Sequence, residues 1–367
     1  ESRVRRSDYF DVLAQLIKRD HDKLKKAISV ETGKNLNESH AEVIEALHMC
    51  QYVASMGRLP YGEVYGSELP TKDAYVIRKP RGVVAVISPW NFPLAIGSFW
   101  CAAPAILEGN TVVHKPSELT PMVNDMVAAL YHEAGFPAGV FNLCHGAGDT
   151  GEWLVKSNVD VILFTGSAEV AQSIKMHCAT SVKKTCSVEA GSKSSVIVCK
   201  GADNNLAIDV CLASAFKLSG QRCVSSGRIL VHQDNYHYFA SRFVDAIKER
   251  ISIGDPFGVQ VFGPDEAPIQ FGPLISDEHM KRVASYNQMV RDDSEPIILY
   301  DPDGVEGTLQ TTCMWTGNFL RPFVYECKWG NKRYLKEEVF GPHVAIIPFR
   351  DLDEAINIYN DTDYGLA

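Results

Sequence analysis

The sequence predicts an α/β fold, in which a domain with a doubly wound parallel sheet is followed by a second α/β domain. Three observations support this prediction. Short β-branched or apolar segments alternate with helical segments, the alternation starts again at SVIVCKG (195–201), and 367 residues exceed one simple hydrophobic core. Turn residues and the extended segment AYVIRKP also predict a protruding hairpin or arm between residues 62 and 80.

The first sixty residues are predicted to be helical. The first helical region has a break near His21 and ends at Gly33 in ETGK, because glycine favours the end of a helix. A second helix is predicted from about residue 38 to residue 55. Apolar residues of the first region recur at helical spacing: Phe10, Leu13, Ile17, Leu24 and Ile28.

Four short apolar segments predict the parallel sheet: GVVAVIS, GNTVVHKP, VFNLCHG and VDVILFTGS. Helical segments such as MVNDMVAALYHEAG (122–135) separate them, as in alternating βα units. In open α/β sheets, ligands bind where the strands end in loops at the carboxyl edge. Functional residues are therefore expected in the loops SPWN, HKPSE, FTGS and EAGSK.

Composition and charge argue against nucleic acid and membranes as partners. Lys and Arg total 36 against 45 Asp and Glu, a net charge of −9, and no run of five basic residues occurs. Residues 82–107 carry no charge, but Pro89, Pro93 and Pro104 interrupt them. We therefore expect a buried strand, a loop and a helix there rather than a membrane span. The sequence starts with Glu1, so any targeting peptide would lie outside it.

The ten cysteines form no C-x-x-C pair, which argues against a zinc knuckle and a thioredoxin-type redox pair. Such scattered cysteines are typical of reduced thiols in a cytoplasmic compartment, where most are small buried hydrophobic residues. Cys223 differs from this pattern. It lies in LSGQRCVSSGR (218–228), with Gly220-Gln221 before it and two serines after it, so we expect a flexible, polar approach to this thiol.

No strong dinucleotide fingerprint is present in the predicted ligand loops. HGAGDTG (145–151) has the G-x-G-x-x-G spacing after a predicted strand, which alone is weak support for a dinucleotide site. Gly166 and Ser167 end a predicted strand and open a helix, where backbone N–H groups suit a phosphate. An ordinary turn with Ser167 as the helix N-cap explains the same residues equally well.

Three further loops carry polar side chains with two interpretations each. Lys115 and Glu118 could bind the two hydroxyls of a ribose, although an exposed ion pair is the more common arrangement. Glu189 follows a predicted strand and is a candidate general base if burial raises its pKa; most such glutamates are only solvated. Asn91, held between two prolines, could donate to an oxyanion or simply bond its own turn.

Taken together, these segments resemble the aldehyde dehydrogenase superfamily over essentially the whole chain. The motifs occur in the family's order and approximate spacing: ISPWNFPLAI, GNTVVHKPSELTP, VILFTGS, VEAGSK, GQRC, ISIGDP, FGPLI and EEVFGP. The resemblance implies oxidation of an aldehyde to a carboxylic acid with NAD(P)⁺. Cys223 matches the nucleophile that forms a thiohemiacetal and then a thioester, Asn91 the side-chain oxyanion donor, and Glu189 the base for hydrolysis.

The resemblance also assigns cofactor-binding residues and domains. Lys115 and Glu118 match the residues that hold the adenine-side ribose, and Glu118 favours NAD, with NADP possible. The other matching positions are Gly166, Ser167 and Trp90 in the cofactor cleft and Glu338 on the nicotinamide ribose. Residues 1–61 and 81–190 match a Rossmann-like NAD(P)-binding domain, 62–80 an oligomerisation arm, and 191–367 a catalytic domain. The resemblance also implies a homodimer or homotetramer. A cytoplasmic location is expected unless an organellar signal precedes Glu1.

The chain departs from the family pattern at three places. Ser192 in EAGSK stands where the family usually has a second glycine, and we expect it to be tolerated because serine is small. The 115-residue spacing from Cys223 to Glu338 is longer than usual, and we expect the excess in surface loops at 259–270 and 313–322. Family members also extend beyond both ends of this chain, so the catalytic domain is expected to be incomplete at its C-terminal end.

Two alternatives and the substrate stay open. A CoA-acylating semialdehyde dehydrogenase would transfer the acyl group to CoA, although such enzymes usually lack the Glu189 carboxylate. A catalytically silent structural or binding member is the second alternative. Val224, directly after the nucleophile, weakens glutamate semialdehyde as a substrate, while succinate semialdehyde and simple aliphatic aldehydes remain candidates.

Overall fold

The structure is a computed structural model that describes residues 1–258, 260–262, 270–306 and 317–366. The chain divides into two compact units. The first comprises Glu1–Glu31 and Ser39–Ala190, and the second comprises Thr32–Glu38 and Gly191–Ala367. Of the two stretches where extra loops are expected, residues 259, 263–269 and 313–316 lie outside the described residues.

Three helices open the chain, as the sequence predicts: α1 (Arg3–Arg19), α2 (His21–Thr32) and α3 (Leu36–Met56). The break between α1 and α2 falls at Asp20, next to His21. The five apolar residues that predict the first helical region are all fully buried. Hydrophobic burial at i, i+3 and i+4 spacing therefore fixes which faces of these helices turn inward.

A β-hairpin follows the helices, as predicted for residues 62–80. Strands β1 (Gly62–Tyr65) and β2 (Ala74–Ile77) pair antiparallel, and nearly all their side chains are exposed. They form a separate two-stranded sheet. An isolated hairpin is only marginally stable in water, so this exposed pair is a candidate for covering by another surface.

A five-stranded parallel sheet forms the centre of the first unit, in the order β5-β4-β3-β6-β7. Its central strand β3 pairs with β4 on one side and β6 on the other, where the chain reverses direction across the sheet. The strands are β3 (Val83–Ile87), β4 (Thr111–Lys115), β5 (Phe141–Leu143), β6 (Val161–Gly166) and β7 (Thr185–Ala190). A π-helix (Ile96–Ala102), α4 (Ala103–Leu107), α5 (Pro121–Glu133), α6 (Gly148–Lys156) and α7 (Ala168–Ala179) connect them.

The second unit contains another five-stranded sheet, in the order β12-β13-β14-β9-β8, with only the β12–β13 pair antiparallel. Its strands are β8 (Ser195–Val198), β9 (Arg228–His232), β12 (Ile297–Tyr300), β13 (Phe323–Glu326) and β14 (His343–Phe349), and a short pair β10 (Ile253–Gly254) and β11 (Gln260–Phe262) lies apart. The helices are α8 (Asn204–Phe216), a 3₁₀ turn (Lys217–Gly220), α9 (Gln233–Arg250), α10 (Asp277–Asp292), α11 (Pro302–Glu306), α12 (Arg333–Lys336) and α13 (Leu352–Asn360).

Residues 82–107 form a buried strand, a loop and helical turns, as predicted in place of a membrane span. Val84, Ala85 and Val86 of β3 are fully or almost fully buried in the sheet, and the loop with Pro89 leads into the π-helix. Within the described ranges, no helix has both the length and the apolar character needed to cross a membrane.

Candidate active site

Parallel pairing brings several predicted site residues to one edge of the first unit's sheet. Ile87 at the end of β3 lies opposite Lys115 of β4 and Phe164 of β6. Trp90 follows β3 by three residues, and Gly166 is the last residue of β6. This edge, beside the strand where the chain reverses, is the usual ligand crevice of an open α/β sheet.

Asn91 is held in a rigid loop. Its side chain is 3% exposed, and the loop leads directly into the π-helix. The carboxylate of Glu42, itself buried on α3, accepts hydrogen bonds from Leu94 N–H at 2.8 Å and Ala95 N–H at 3.2 Å. A buried carboxylate at these free N–H groups stabilises the start of the helix and so restrains Asn91. Glu42 was not identified as a functional residue from the sequence. The signal that could have identified it is a carboxylate on an apolar helix face.

Lys115 forms the predicted ion pair with Glu118, but its side chain is buried rather than exposed. The side chain is 5% exposed, and its ammonium donates to Pro116 O at 2.9 Å and Gly146 O at 2.6 Å. Glu118, which is half exposed, lies 3.7 Å from the same nitrogen. Burial lowers the pKa of Lys115, although Glu118 opposes the change. These contacts bring the glycine-rich HGAGDTG turn beside Lys115, with the Glu118 carboxylate open to a ligand.

Ser167 is the N-cap of α7, as the local interpretation predicts. Its hydroxyl oxygen accepts a hydrogen bond from Val170 N–H at 3.4 Å, and its backbone is extended. Gly166 ends β6 directly before it. The first N–H groups of this twelve-residue helix therefore point from the same sheet edge as Lys115, where an anion would be stabilised by the helix dipole.

Glu189 is exposed. The burial on which its prediction as a general base depended is therefore not observed. The residue lies in the edge strand β7, opposite Thr165, and its side chain faces solvent. Its charge is one cause, after burial, of the raised pKa of the Cys101 thiol, which is about 11. Glu189 therefore lies near the Cys101 thiol, with its carboxylate open to water.

The loop that carries Cys223 is fixed by backbone geometry, which contradicts the predicted flexible approach. Leu218, Ser219 and Gly220 all have positive φ, of 52°, 56° and 73°. A Cβ at Gly220 would lie 2.3 Å from Gly341 O, so only glycine fits there. Fully buried Gln221 donates to Leu218 O and accepts from Ile275 N–H at 3.0 Å. Strained backbone of this kind persists only where surrounding contacts hold it.

The thiol of Cys223 is half-buried, and its surroundings on balance disfavour the thiolate. Burial raises its pKa, and the charge of Glu338 raises it further. The backbone N–H groups of Cys223 and Val224 and the Arg222 guanidinium act in the opposite direction. These N–H groups would stabilise negative charge on the sulfur.

Glu338 and Ser192 belong to the same region of the second unit as the Cys223 loop. The Glu338 carboxylate accepts a hydrogen bond from Ser192 N–H at 2.7 Å. A cavity of about 20 Å³ is lined by both residues together with Gly220, Arg222 and other residues of these loops. A polar cavity of this size has room for one water molecule. A carboxylate and residues of the Cys223 loop thus line one small polar space.

Lys193 stabilises this region through buried hydrogen bonds. It was not identified as a site residue from the sequence. Its ammonium is buried and donates to Tyr334 O at 3.0 Å and Glu337 O at 2.5 Å, at the C-terminal end of α12. Arg228, also buried, donates through Nε to Lys193 O at 3.0 Å. Cations at helix C-termini are favourable, so Lys193 holds the segment that leads into Glu338.

Replacement of Lys193 by methionine is expected to change how stability depends on pH. Burial and the nearby Arg228 charge lower the pKa of Lys193 to about 7, whereas an exposed lysine titrates near 10.4. Between these values the unfolded chain holds a proton that the folded chain has lost, so this residue's contribution to stability increases with pH. From pH 7 to pH 9, the melting temperature of the wild type relative to Lys193→Met should rise by about 3–6 °C in thermal unfolding.

Lys281→Met, at an exposed lysine of α10, is the matched control for this measurement. Its difference in melting temperature from the wild type should stay constant over the same pH range. A constant difference for Lys193→Met as well would show that Lys193 keeps its proton in the folded chain.

The prediction that most other cysteines are buried holds for half of the eight that the structure describes: four are buried, three are partly buried and Cys199 is exposed. Nine cysteines lie in the described residues and all nine are free thiols; Cys313 lies outside them. Burial raises the pKa of Cys211 and Cys327 to about 12 each, which keeps these thiols unreactive. Within the described part of the chain, no group of three or more His, Cys, Asp or Glu side chains could hold a metal ion.

Comparison with known proteins identifies the family. The model of the aldehyde dehydrogenase family matches residues 2–367. A betaine aldehyde dehydrogenase from Bacillus subtilis (strain 168) is 36% identical over 357 residues, which cover 97% of this chain and 70% of the relative. The structure of betaine aldehyde dehydrogenase from Staphylococcus aureus in complex with NAD⁺ is 32% identical, with a TM-score of 0.89 over 100% of this chain and 70% of that one.

A second solved structure, PnpE in complex with nicotinamide adenine dinucleotide, is 31% identical, with a TM-score of 0.90 over 99% of this chain and 72% of that chain. These matches confirm the predicted α/β fold class as well as the resemblance drawn from the ordered motifs. The chain belongs to the aldehyde dehydrogenase family.

Proposed function

We propose that this protein oxidises a small aldehyde to the carboxylic acid with NAD⁺, through a covalent intermediate on Cys223. The observation that carries the proposal is the Cys223 loop. Its thiol is half-buried, and the loop before it has three successive positive φ angles and is held by a hydrogen bond from Ile275 N–H to Gln221. A partly exposed thiol can meet a substrate, unlike a fully buried thiol such as that of Cys211.

The residues of the first unit fit a dinucleotide. A ribose needs donors and acceptors for two hydroxyls, and the Lys115–Glu118 pair, 3.7 Å apart, offers both. The N-terminus of α7 at Ser167 suits a pyrophosphate. The glycine-rich turn at Gly146 is bonded to Lys115 at the same sheet edge. Solved relatives bind NAD⁺, which supports NAD as the cofactor here.

The second unit supplies Glu338, for which we propose the nicotinamide-side ribose as ligand. This carboxylate is already oriented by Ser192 N–H. When bound, the nicotinamide ring accepts the hydride that leaves the aldehyde carbon. The side chains of the protein supply the nucleophile, the oxyanion donors and the base.

Cys223 attacks the aldehyde carbonyl after its thiol loses a proton, and a thiohemiacetal forms. The carbonyl oxygen gains negative charge in this step, and the backbone N–H of Cys223 and the Asn91 amide are the proposed donors to it. Asn91 is suited to this role because Glu42 and the prolines restrain its loop. Loss of hydride leaves a thioester, and sulfur is a good leaving group when that thioester is hydrolysed.

Glu189 is proposed as the base that activates the hydrolytic water. Its exposure on β7 leaves the carboxylate accessible to water. This carboxylate favours hydrolysis over transfer of the acyl group to CoA. General-base catalysis of this kind contributes about 10²–10⁴ to a rate.

A homo-oligomer formed through residues 62–80 is also proposed. The hairpin exposes Val64, Tyr65, Tyr75 and Ile77, and its two strands present unpaired edges. Another copy of the chain that paired with these edges would cover both the apolar side chains and the free backbone groups.

The proposed activity is tested by absorbance at 340 nm with NAD⁺ and a panel of aldehydes, without CoA. The panel holds propanal, succinate semialdehyde, glutamate semialdehyde and betaine aldehyde, the last because two relatives carry its name. NADH formation supports the proposal, and the highest kcat/KM ranks the substrates. NADH formation only after CoA is added would indicate the acylating alternative, and no NADH under either condition would support a silent member.

A further inference from the structure

Ser192 makes three hydrogen bonds from a buried position in the second unit. The side chain is 4% exposed. Its hydroxyl donates to Leu366 O at 2.8 Å and accepts from Ser194 N–H at 3.0 Å, while its own N–H donates to a carboxylate oxygen of Glu338 at 2.7 Å. Ser192 therefore bonds two backbone segments and also Glu338, the residue proposed to bind the nicotinamide-side ribose.

The peptide before Ser192 is closely packed. Gly191 has φ +58°, and a Cβ there would lie 2.5 Å from the Tyr364 ring and 3.6 Å from the second carboxylate oxygen of Glu338. Gly191 is thus closely packed against both Tyr364 and Glu338. A rotation of this peptide would carry the N–H away from the Glu338 carboxylate.

The Ser192 hydroxyl restrains that rotation. A glycine at this position keeps the N–H but lacks both hydroxyl bonds, and it gains backbone freedom. An alanine keeps the backbone restraint of a Cβ but also lacks the hydroxyl bonds. The two substitutions therefore separate the effect of the hydroxyl from the effect of added backbone freedom.

We propose that Ser192 is a positioning residue, whose hydroxyl bonds to Leu366 and Ser194 fix the peptide N–H that orients Glu338 for the nicotinamide half of the cofactor. This inference rests on the proposed function. It predicts that Ser192 strengthens cofactor binding through Glu338 and acts only on the part of the cofactor that Glu338 contacts. The opposite role, in which the serine side chain obstructs the cofactor, would make its removal favourable.

The test compares binding of NAD⁺ and of ADP, which lacks the nicotinamide ribose, to the full chain. Loss of a neutral hydrogen bond changes affinity by about three- to tenfold. Ser192→Ala and Ser192→Gly should weaken NAD⁺ by this factor in fluorescence titration and raise its KM similarly, with ADP affinity and kcat within about twofold of wild type. Ser192→Gly should show the larger effect, because it also loosens the peptide.

Ser195→Ala is the matched control. Its hydroxyl oxygen is buried three residues away and has no hydrogen-bond partner among the described residues, so NAD⁺ and ADP affinities should both stay at wild-type values. Tighter NAD⁺ binding by Ser192→Gly, an equal loss of NAD⁺ and ADP affinity, or no change in either would overturn the positioning role. Wild-type protein that binds neither nucleotide would instead overturn the proposed function itself.

Discussion

Replacement of Cys223 by alanine is expected to lower aldehyde oxidation by about four orders of magnitude or more. The variant lacks the atom that bonds to the aldehyde carbon, so neither thiohemiacetal nor thioester can form. The rest of the loop should keep its structure, because Gly220 and Gln221 hold it through the backbone and through bonds to Leu218 and Ile275. NADH formation at 340 nm with the best aldehyde of the panel measures the loss.

Cys199→Ala is the control, since this exposed thiol lies after β8 and should be dispensable. The raised pKa of Cys223 gives a second measurement without substrate. Below that pKa the thiolate fraction grows about tenfold per pH unit, so alkylation of Cys223 by iodoacetamide should accelerate steeply from pH 6 to pH 8. Unchanged activity in Cys223→Ala, or alkylation confined to Cys199, would remove Cys223 from the mechanism.

Replacement of Glu189 by glutamine should lower the steady-state rate by about 10²–10⁴ while sparing the first turnover. In the proposed mechanism Glu189 is needed only to hydrolyse the thioester, and the hydride transfer that forms NADH precedes hydrolysis. A rapid burst of NADH, close to one equivalent per Cys223, should therefore be followed by a slow phase. Stopped-flow absorbance at 340 nm resolves the two phases.

Glu152→Gln provides the control, because this exposed glutamate of α6 pairs only with a surface lysine in the described contacts. It should show wild-type burst and steady-state rates. If Glu189→Gln instead loses the burst and the slow phase together, Glu189 acts before thioester hydrolysis. If the slow phase of Glu189→Gln is accelerated by added CoA, the thioester is still formed and remains open to another acceptor.

The secondary structure around the site could be predicted because its signals are local. Apolar residues at helical spacing identified α1 and α2, and β-branched segments that end in Gly, Ser or Pro identified β3, β4, β5 and β6. The N-cap at Ser167 was visible in the same way, since capping depends on residues within one turn.

Burial of polar side chains could not be predicted, because it depends on contacts distant in the sequence. The buried ammonium of Lys115 donates to carbonyls that include that of Gly146, 31 residues later. Glu189 lies on β7, the edge strand of the sheet, and is exposed. Cys223 has polar neighbours in sequence, yet Gly220 packs against Gly341 and makes the loop rigid. Each correction comes from a partner that no local pattern reveals.

Local periodicity and ordered motifs are enough to predict the α/β class and the candidate site residues. The tertiary structure alone decided which groups are restrained. Glu42 acts on the Asn91 loop, Lys193 on the end of α12, and Ser192 on Glu338, through hydrogen bonds between segments far apart in the chain. Hydrophobic burial drives folding. Buried polar groups then pair with the donors and acceptors that the folded chain brings near them.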